Sequence, residues 1–190
     1  MRVLGLVCSP RKGGNTELMV REALEVVREA GGETEIILVA DKNIMPCNGC
    51  GVCLKEEACP IKDDMAEIYQ ALESADGVIL GTPVYFASVS AQAKIIIDRS
   101  YALLGTRRLR GKVAGALVVA RRVGAFQTLS LLYTFFVVHR MVIAAGGIGY
   151  GVEKGDVKNG VGGSYTLSAL QEARAVGKNV ALMLQRLSKC

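Results

Sequence analysis

The chain has 190 residues, half of them apolar and 22% charged, with a net charge of +5. That length suits one domain with a substantial core, and that composition excludes a disordered chain. The basic runs at Arg107-Arg108, Arg110–Lys112 and Arg121-Arg122 read as a solvated face or, more sharply, as a docking surface for an acidic redox protein or a cofactor phosphate; without interleaved aromatics they exclude nucleic acid as a partner.

The N-terminal apolar run is broken by Cys8-Ser9-Pro10 too early for a signal peptide, and the longest apolar stretch, before Gly146, is interrupted by His139-Arg140. The expectation is a cytoplasmic protein with no membrane span. In chain order, an apolar strand over Val3–Val7 is followed by a helix carrying Met19, Ala23, Val26, Val27 and Ala30 and stopping at Gly31-Gly32. TEIILVA is a second strand. Pro60 is placed to open the next helix, with Asp63 and Asp64 in its first turn and Met65, Ile68, Tyr69 and Leu72 on its buried face. GVILG is the third strand, with a helix from about Ser88 to Tyr101. KVAGALVVA is the fourth, followed by a helix containing LSLLYTFFVV, and MVIAAGG is the fifth. The last helix runs from about Thr166 to Leu187.

Five apolar strands alternating with five helices predict an α/β fold, a doubly wound five-stranded parallel sheet in a single domain over residues 1–190. Ligands of such sheets sit beyond the carboxyl ends of the strands, where the strand order reverses. The loops after the first, third and fourth strands are therefore where chemistry is expected.

After the first strand comes CSPRKGGNTE, a turn that opens a helix and so favours an anion. Gly13 and Gly14 let the backbone wrap closely, Asn15 is a suitable N-cap, Ser9 and Thr16 offer hydroxyls, and Arg11 and Lys12 add charge. Neither a Walker P-loop nor a Gly-x-Gly-x-x-Gly fingerprint is present. A tyrosine phosphatase with Cys8 as nucleophile would need Arg where Gly14 stands, so that chemistry is excluded. What survives is a phosphate monoester held by backbone and hydroxyl groups, as flavin mononucleotide (FMN) would be. After the third strand, Pro83 stiffens a turn in which Tyr85 and Phe86 supply flat apolar area for a flavin ring. Lys94 and Asp98 read as a surface pair, and His139, the one histidine, as a helix-end or core residue. Cys8 and Cys190 read as a buried small hydrophobe and a terminal thiol.

The sharpest signal is PCNGCGVCLKEEACP, with Cys47, Cys50, Cys53 and Cys59 inside thirteen residues. Clustered cysteines in a reducing compartment hold metal or do redox chemistry more often than they form disulfides. A zinc site is normally built from two knuckles a dozen or more residues apart. The Cys-x2-Cys-x2-Cys start and the closing Cys-Pro match a ferredoxin run, and no further cysteines exist for a second cluster. One [4Fe-4S] cluster is the favoured occupant; zinc and free redox thiols are the alternatives.

With these segments in view, the chain resembles the iron–sulfur flavoproteins, a branch of the flavodoxin-like NADPH-dependent FMN reductases. The resemblance rests on GLVCSPRKGGNTE, CNGCGVCLKEEACPIKDDM and GTPVYFASVSAQAKIIIDR and, more loosely, on GYGVEKGDVKNG and EARAVGKNVA. It implies a flavodoxin-like strand order, FMN in the crevice, and a [4Fe-4S] loop inserted at about 45–60. It also implies FMN contacts from Ser9, Arg11, Asn15 and Thr16, from Pro83, Val84, Tyr85 and Phe86, and from Gly124 in a third loop. The implied function is electron transfer: the cluster takes single electrons from a ferredoxin-like donor and passes them to FMN, which reduces an acceptor such as oxygen or peroxide. The alternatives are an NAD(P)H-dependent FMN or quinone reductase with a secondary cluster, and a zinc-binding redox sensor or scaffold. A homodimer or homotetramer is implied as well.

Overall fold

Alternate residues of the first strand, β1 (Arg2–Val7), serve opposite faces of one sheet: Val3 and Val7 join one apolar cluster, Leu4 and Leu6 the other. A strand covered on both sides needs an unbroken apolar sequence. The computed structural model describes residues 1–164 and 166–189; Tyr165 and Cys190, and with the latter the expected terminal thiol, lie outside them.

The sheet continues with β2 (Glu33–Leu38), β3 (Gly77–Tyr85), β4 (Ser88–Val89), β5 (Val113–Ala120) and β6 (Val142–Tyr150). Its order is β2-β1-β3-β5-β6, all parallel, with Leu6 beside both Ile37 and Leu80. The order reverses between β1 and β3. The expected five parallel strands are thus present, and the two-residue β4 adds an antiparallel hairpin to the end of β3.

One face is covered by α1 (Asn15–Glu29) and α6 (Ala169–Leu187), the other by α3 (Met65–Ser74), α4 (Ala91–Arg99) and α5 (Ala125–Val138). The remaining helix, α2 (Cys53–Glu56), is a single turn within the cysteine loop. Helices α1 and α6 meet closely at Gly177, where a Cβ would lie 2.1 Å from the Ala23 carbonyl oxygen.

Several boundaries differ from the sequence expectation. The third strand runs past Gly81 to Tyr85 because the chain folds back through β4, and α4 starts at Ala91 rather than near Ser88. There Ser90 Oγ accepts from the Ala93 N–H at 3.1 Å and donates to the Cys8 carbonyl at 2.6 Å, capping the helix and tying it to the first turn. Pro60 does not open a helix: α3 begins at Met65, whose N–H donates to an Asp63 carboxylate that also pairs with Arg99, so Asp63 stands ahead of the helix and not within its first turn. Helix α6 begins at Ala169 rather than Thr166, behind a capping box formed by Ser168 and Gln171.

Candidate functional site

At the carboxyl ends of β1, β3 and β5 lies a crevice of about 240 Å³. Ser9, Arg11, Asn15 and Thr16 line it from the first turn, and Pro83, Val84 and Tyr85 line it from the third strand. Two segments separated by nearly seventy residues of sequence therefore meet at the switch point of the sheet.

The first turn suits a phosphate. Leading amides of α1 have no acceptor within the helix and carry the positive end of its dipole. Ser9 Oγ accepts from the Arg11 N–H at 3.2 Å, which fixes the loop ahead of the helix. Gly13 takes φ +62°, and its N–H donates to Glu17 at 2.6 Å; Glu17 also accepts from Arg21 at 2.8 Å. Arg11, Arg121 and Lys154 bring positive charge to the crevice walls. These features fit an anionic group, and the flat Val84-Tyr85 wall fits a planar ring.

Asn15 does not cap α1; Gly14 occupies the N-cap position. The Asn15 side chain instead reaches across to the loop after β6, donating to the Glu153 carbonyl at 2.8 Å and accepting from the Gly155 N–H at 2.7 Å. It thereby holds the segment that carries Lys154 against the turn. A Cβ at Gly151 would lie 2.7 Å from the Asn15 amide nitrogen, so this approach requires glycine.

Phe86 and Gly124 stand apart from the crevice lining. Phe86 is fully exposed at the tip of the β3–β4 hairpin, where it and Ala87 both take left-handed backbone, φ 50° and 56°. Gly124 takes φ +88° just before α5, and a Cβ there would come within 2.5 Å of the Ala87 Cα. Its absent side chain makes room for the hairpin that carries Tyr85.

Gly151, Glu153 and Lys154 also line the crevice and had no role assigned from sequence, and Arg121, from one of the basic runs, lines it with them. The signal was present in GYGVEKG, a glycine-bearing loop directly after the fifth strand, at the same end of the sheet as the other two.

The cysteine loop leaves the sheet after β2. Gly49 and Gly51 take φ +70° and +71°, and Glu57 takes φ 55° after α2, so the chain turns sharply around the thiols. Cys47 and Cys50 are exposed, Cys53 and Cys59 half-buried, and all four are free thiols. Burial pushes the Cys53 thiol up from its ordinary value, with Cys59, Cys50 and Cys47 adding to the shift. All four lie on one short loop. Among the described residues, however, no three Cys, His, Asp or Glu side chains converge to metal-binding distance, so the expected corners of a cubane are not formed in this structure. By its chemistry the donor set, four thiols on one short loop, fits an iron–sulfur cluster.

Two further sulfur and imidazole groups are structural. Burial pushes the Cys8 thiol well up, which leaves it inert at the end of β1. His139 follows α5, buried, with Nε2 2.9 Å from Ser100 Oγ; burial holds its pKa below the ordinary histidine value. The Lys94–Asp98 pair is present on the surface of α4 at 2.6 Å.

Comparison with known proteins adds the following. Residues 1–152 match the family model described as NADPH-dependent FMN reductase. An iron–sulfur flavoprotein of Methanocaldococcus jannaschii is 44% identical across the full length of both chains. One of Methanosarcina thermophila is 38% identical over 75% of this chain and 76% of its own. Among solved structures, RosB with bound 8-demethyl-8-formylriboflavin-5'-phosphate superposes with a TM-score of 0.77 at 18% identity, over all of this chain and 81% of that one, a likeness of fold.

Proposed function

The chain belongs to the NADPH-dependent FMN reductase family, in its iron–sulfur flavoprotein branch, and from that premise we propose that it is an electron-transfer flavoprotein holding FMN and one [4Fe-4S] cluster. The observation that carries this reading is the meeting of the first turn and the Val84-Tyr85 wall in one crevice at the switch point. Bound there, FMN supplies two-electron chemistry, and the cluster supplies single-electron exchange.

The work of the chain is binding and placement. Ser9, Arg11 and Thr16 take the phosphate with the leading amides of α1, while Pro83, Val84 and Tyr85 present the ring surface. Asn15 holds the Lys154 segment over the phosphate side. Phe86 stands at the tip of the hairpin, and Gly124 packs beneath it against Ala87. Cys47, Cys50, Cys53 and Cys59 hold the cluster. A ferredoxin-like protein is the donor, and the basic residues at the crevice, Arg11, Arg121 and Lys154, suit its acidic surface.

The same cations also support the second reading, an NAD(P)H-dependent FMN or quinone reductase, since they would take the phosphates of that cofactor. Anaerobic holoprotein mixed with reduced ferredoxin or with NADPH separates the two: bleaching of the flavin by ferredoxin supports the first, and rapid bleaching by NADPH alone the second.

A homodimer or homotetramer fits helix α5, which carries no charged residue and leaves Phe126, Leu131, Val137 and Val138 exposed. Among the described residues, no helix is long and apolar enough to cross a membrane.

A further inference from the structure

Arg99 ends α4 and is wholly shielded from solvent, as is all but a few per cent of its partner Asp63. Its Nη1 donates to Asp63 Oδ2 at 2.7 Å and to the Met45 carbonyl at 2.7 Å. Its Nη2 donates to Asp63 Oδ1 at 3.0 Å and to the Ile61 carbonyl at 3.5 Å. The same carboxylate accepts from the Met45 N–H at 2.8 Å and the Met65 N–H at 3.1 Å. Met45 stands two residues before Cys47, and Ile61 two residues after Cys59. One buried ion pair thus joins both ends of the loop that carries all four thiols. Beside it, the Asn43 N–H donates to Asp64 Oδ2 at 2.7 Å, a second rung across the same base.

A buried ion pair is a weak source of stability compared with apolar packing of equal volume, so its presence here asks for another reason. Arg99 Nε is also buried with no acceptor among the described residues. Buried donors are nearly always paired, and an unmet one on a charged group points to an acceptor that arrives with a ligand. Cys59, Ile61 and Tyr69 line one pocket, and the Tyr69 hydroxyl donates to the Arg99 carbonyl at 2.8 Å. The guanidinium is therefore fixed at the base of the loop, bonded to the segment that follows Cys59 as well as to the one that precedes Cys47.

We propose that Arg99 is the positioning residue of the cysteine loop: through Asp63 it latches both ends so that the four thiols can close on a cluster, and its charge at the base of the loop raises that cluster's reduction potential. This rests on the proposal that the thiols hold a cluster. A fixed positive charge favours the more negative, reduced state, and hydrogen bonds to cluster sulfurs act in the same sense.

The test compares anaerobically reconstituted wild-type protein with Arg99→Lys and Arg99→Gln. Three quantities are read: iron retained against a chelator, the midpoint potentials of cluster and flavin in the same sample, and tryptic cleavage at Lys55 in cluster-free protein. Both variants should lose iron about 10- to 100-fold more readily, as outer-shell changes at metal sites do, and both should be cut faster at Lys55. Arg99→Gln should lower the cluster potential while the flavin potential stays fixed. Arg99→Lys, which keeps the charge but not the fork, should leave both potentials near wild type. Wild-type iron retention in Arg99→Lys overturns the latch. An unmoved cluster potential in Arg99→Gln, or a failure of that variant to fold together with a shifted cluster potential in Arg99→Lys, overturns the role of the charge. A wild-type protein that takes up no cluster overturns the reading of the cysteines, and faster cleavage of Arg99→Lys at Lys55 would then still show the latch.

Discussion

Asn15 and Glu153 lie 138 residues apart in sequence and are joined at 2.8 Å, the Asn15 amide donating to the Glu153 carbonyl across the mouth of the crevice. With the Gly155 N–H returning to Asn15 Oδ1 at 2.7 Å, one side chain fixes the loop that brings Lys154 to the first turn. Asn15→Ala removes two hydrogen bonds of about 1 kcal/mol each. FMN should then dissociate on the order of tenfold more readily. A fluorescence titration of cluster-free protein with FMN checks this, and an unchanged affinity would place the phosphate elsewhere.

Cys50 is exposed on the loop and does not line the crevice. Cys50→Ser should therefore abolish the cluster absorbance and leave flavin content at the wild-type level. Simultaneous loss of both cofactors would show that the two sites are not separable.

Gly124→Ala places a Cβ within 2.5 Å of the Ala87 backbone at a left-handed position. The variant should lose about 2 kcal/mol of stability. Thermal unfolding of the flavin-free protein should fall by roughly 4–8 °C. A melting temperature equal to wild type would mean that the hairpin yields freely.

Burial holds the His139 pKa below its unfolded value, so the folded chain keeps a neutral imidazole where the unfolded chain would bind a proton. Unfolded chains bind more protons once the pH drops below about 6.5, and stability must decline there. The buried Asp63 adds loss at lower pH: burial raises its carboxyl, but hydrogen bonds from Arg99, Met45 and Met65 outweigh that and hold it below the usual range. Its contribution is present above the unfolded carboxylate value and disappears as the pH falls through the folded one. In urea unfolding between about pH 7 and pH 5, His139→Gln should show a flatter pH dependence than wild type; an identical slope would contradict the assignment.

What could be read from sequence, and what could not, follows from the range of the interactions involved. Val3–Val7 and Val113–Ala120 are buried on both faces, so their apolar runs declare them directly. The first turn was legible because its glycines, hydroxyls and helix start are contiguous. The true start of α3 was not: local rules place Asp63 in the first turn of a helix, whereas it stands ahead of that helix, its carboxylate also paired with Arg99, thirty-six residues on. Lys154 and Glu153 were missed for a similar reason, since only the parallel pairing of β5 with β6 carries their loop to the same end of the sheet as Ser9. The two-residue β4 is too short to leave a period in the sequence, yet it determines where Tyr85 lies.

The central claim is that one chain carries both a flavin and an iron–sulfur cluster, and stoichiometry tests it most directly. Protein purified without air should contain about four iron atoms, about four acid-labile sulfides and about one FMN per chain. Stoichiometric zinc without iron, or a colourless protein that takes up neither iron sulfide nor FMN on reconstitution, would contradict it.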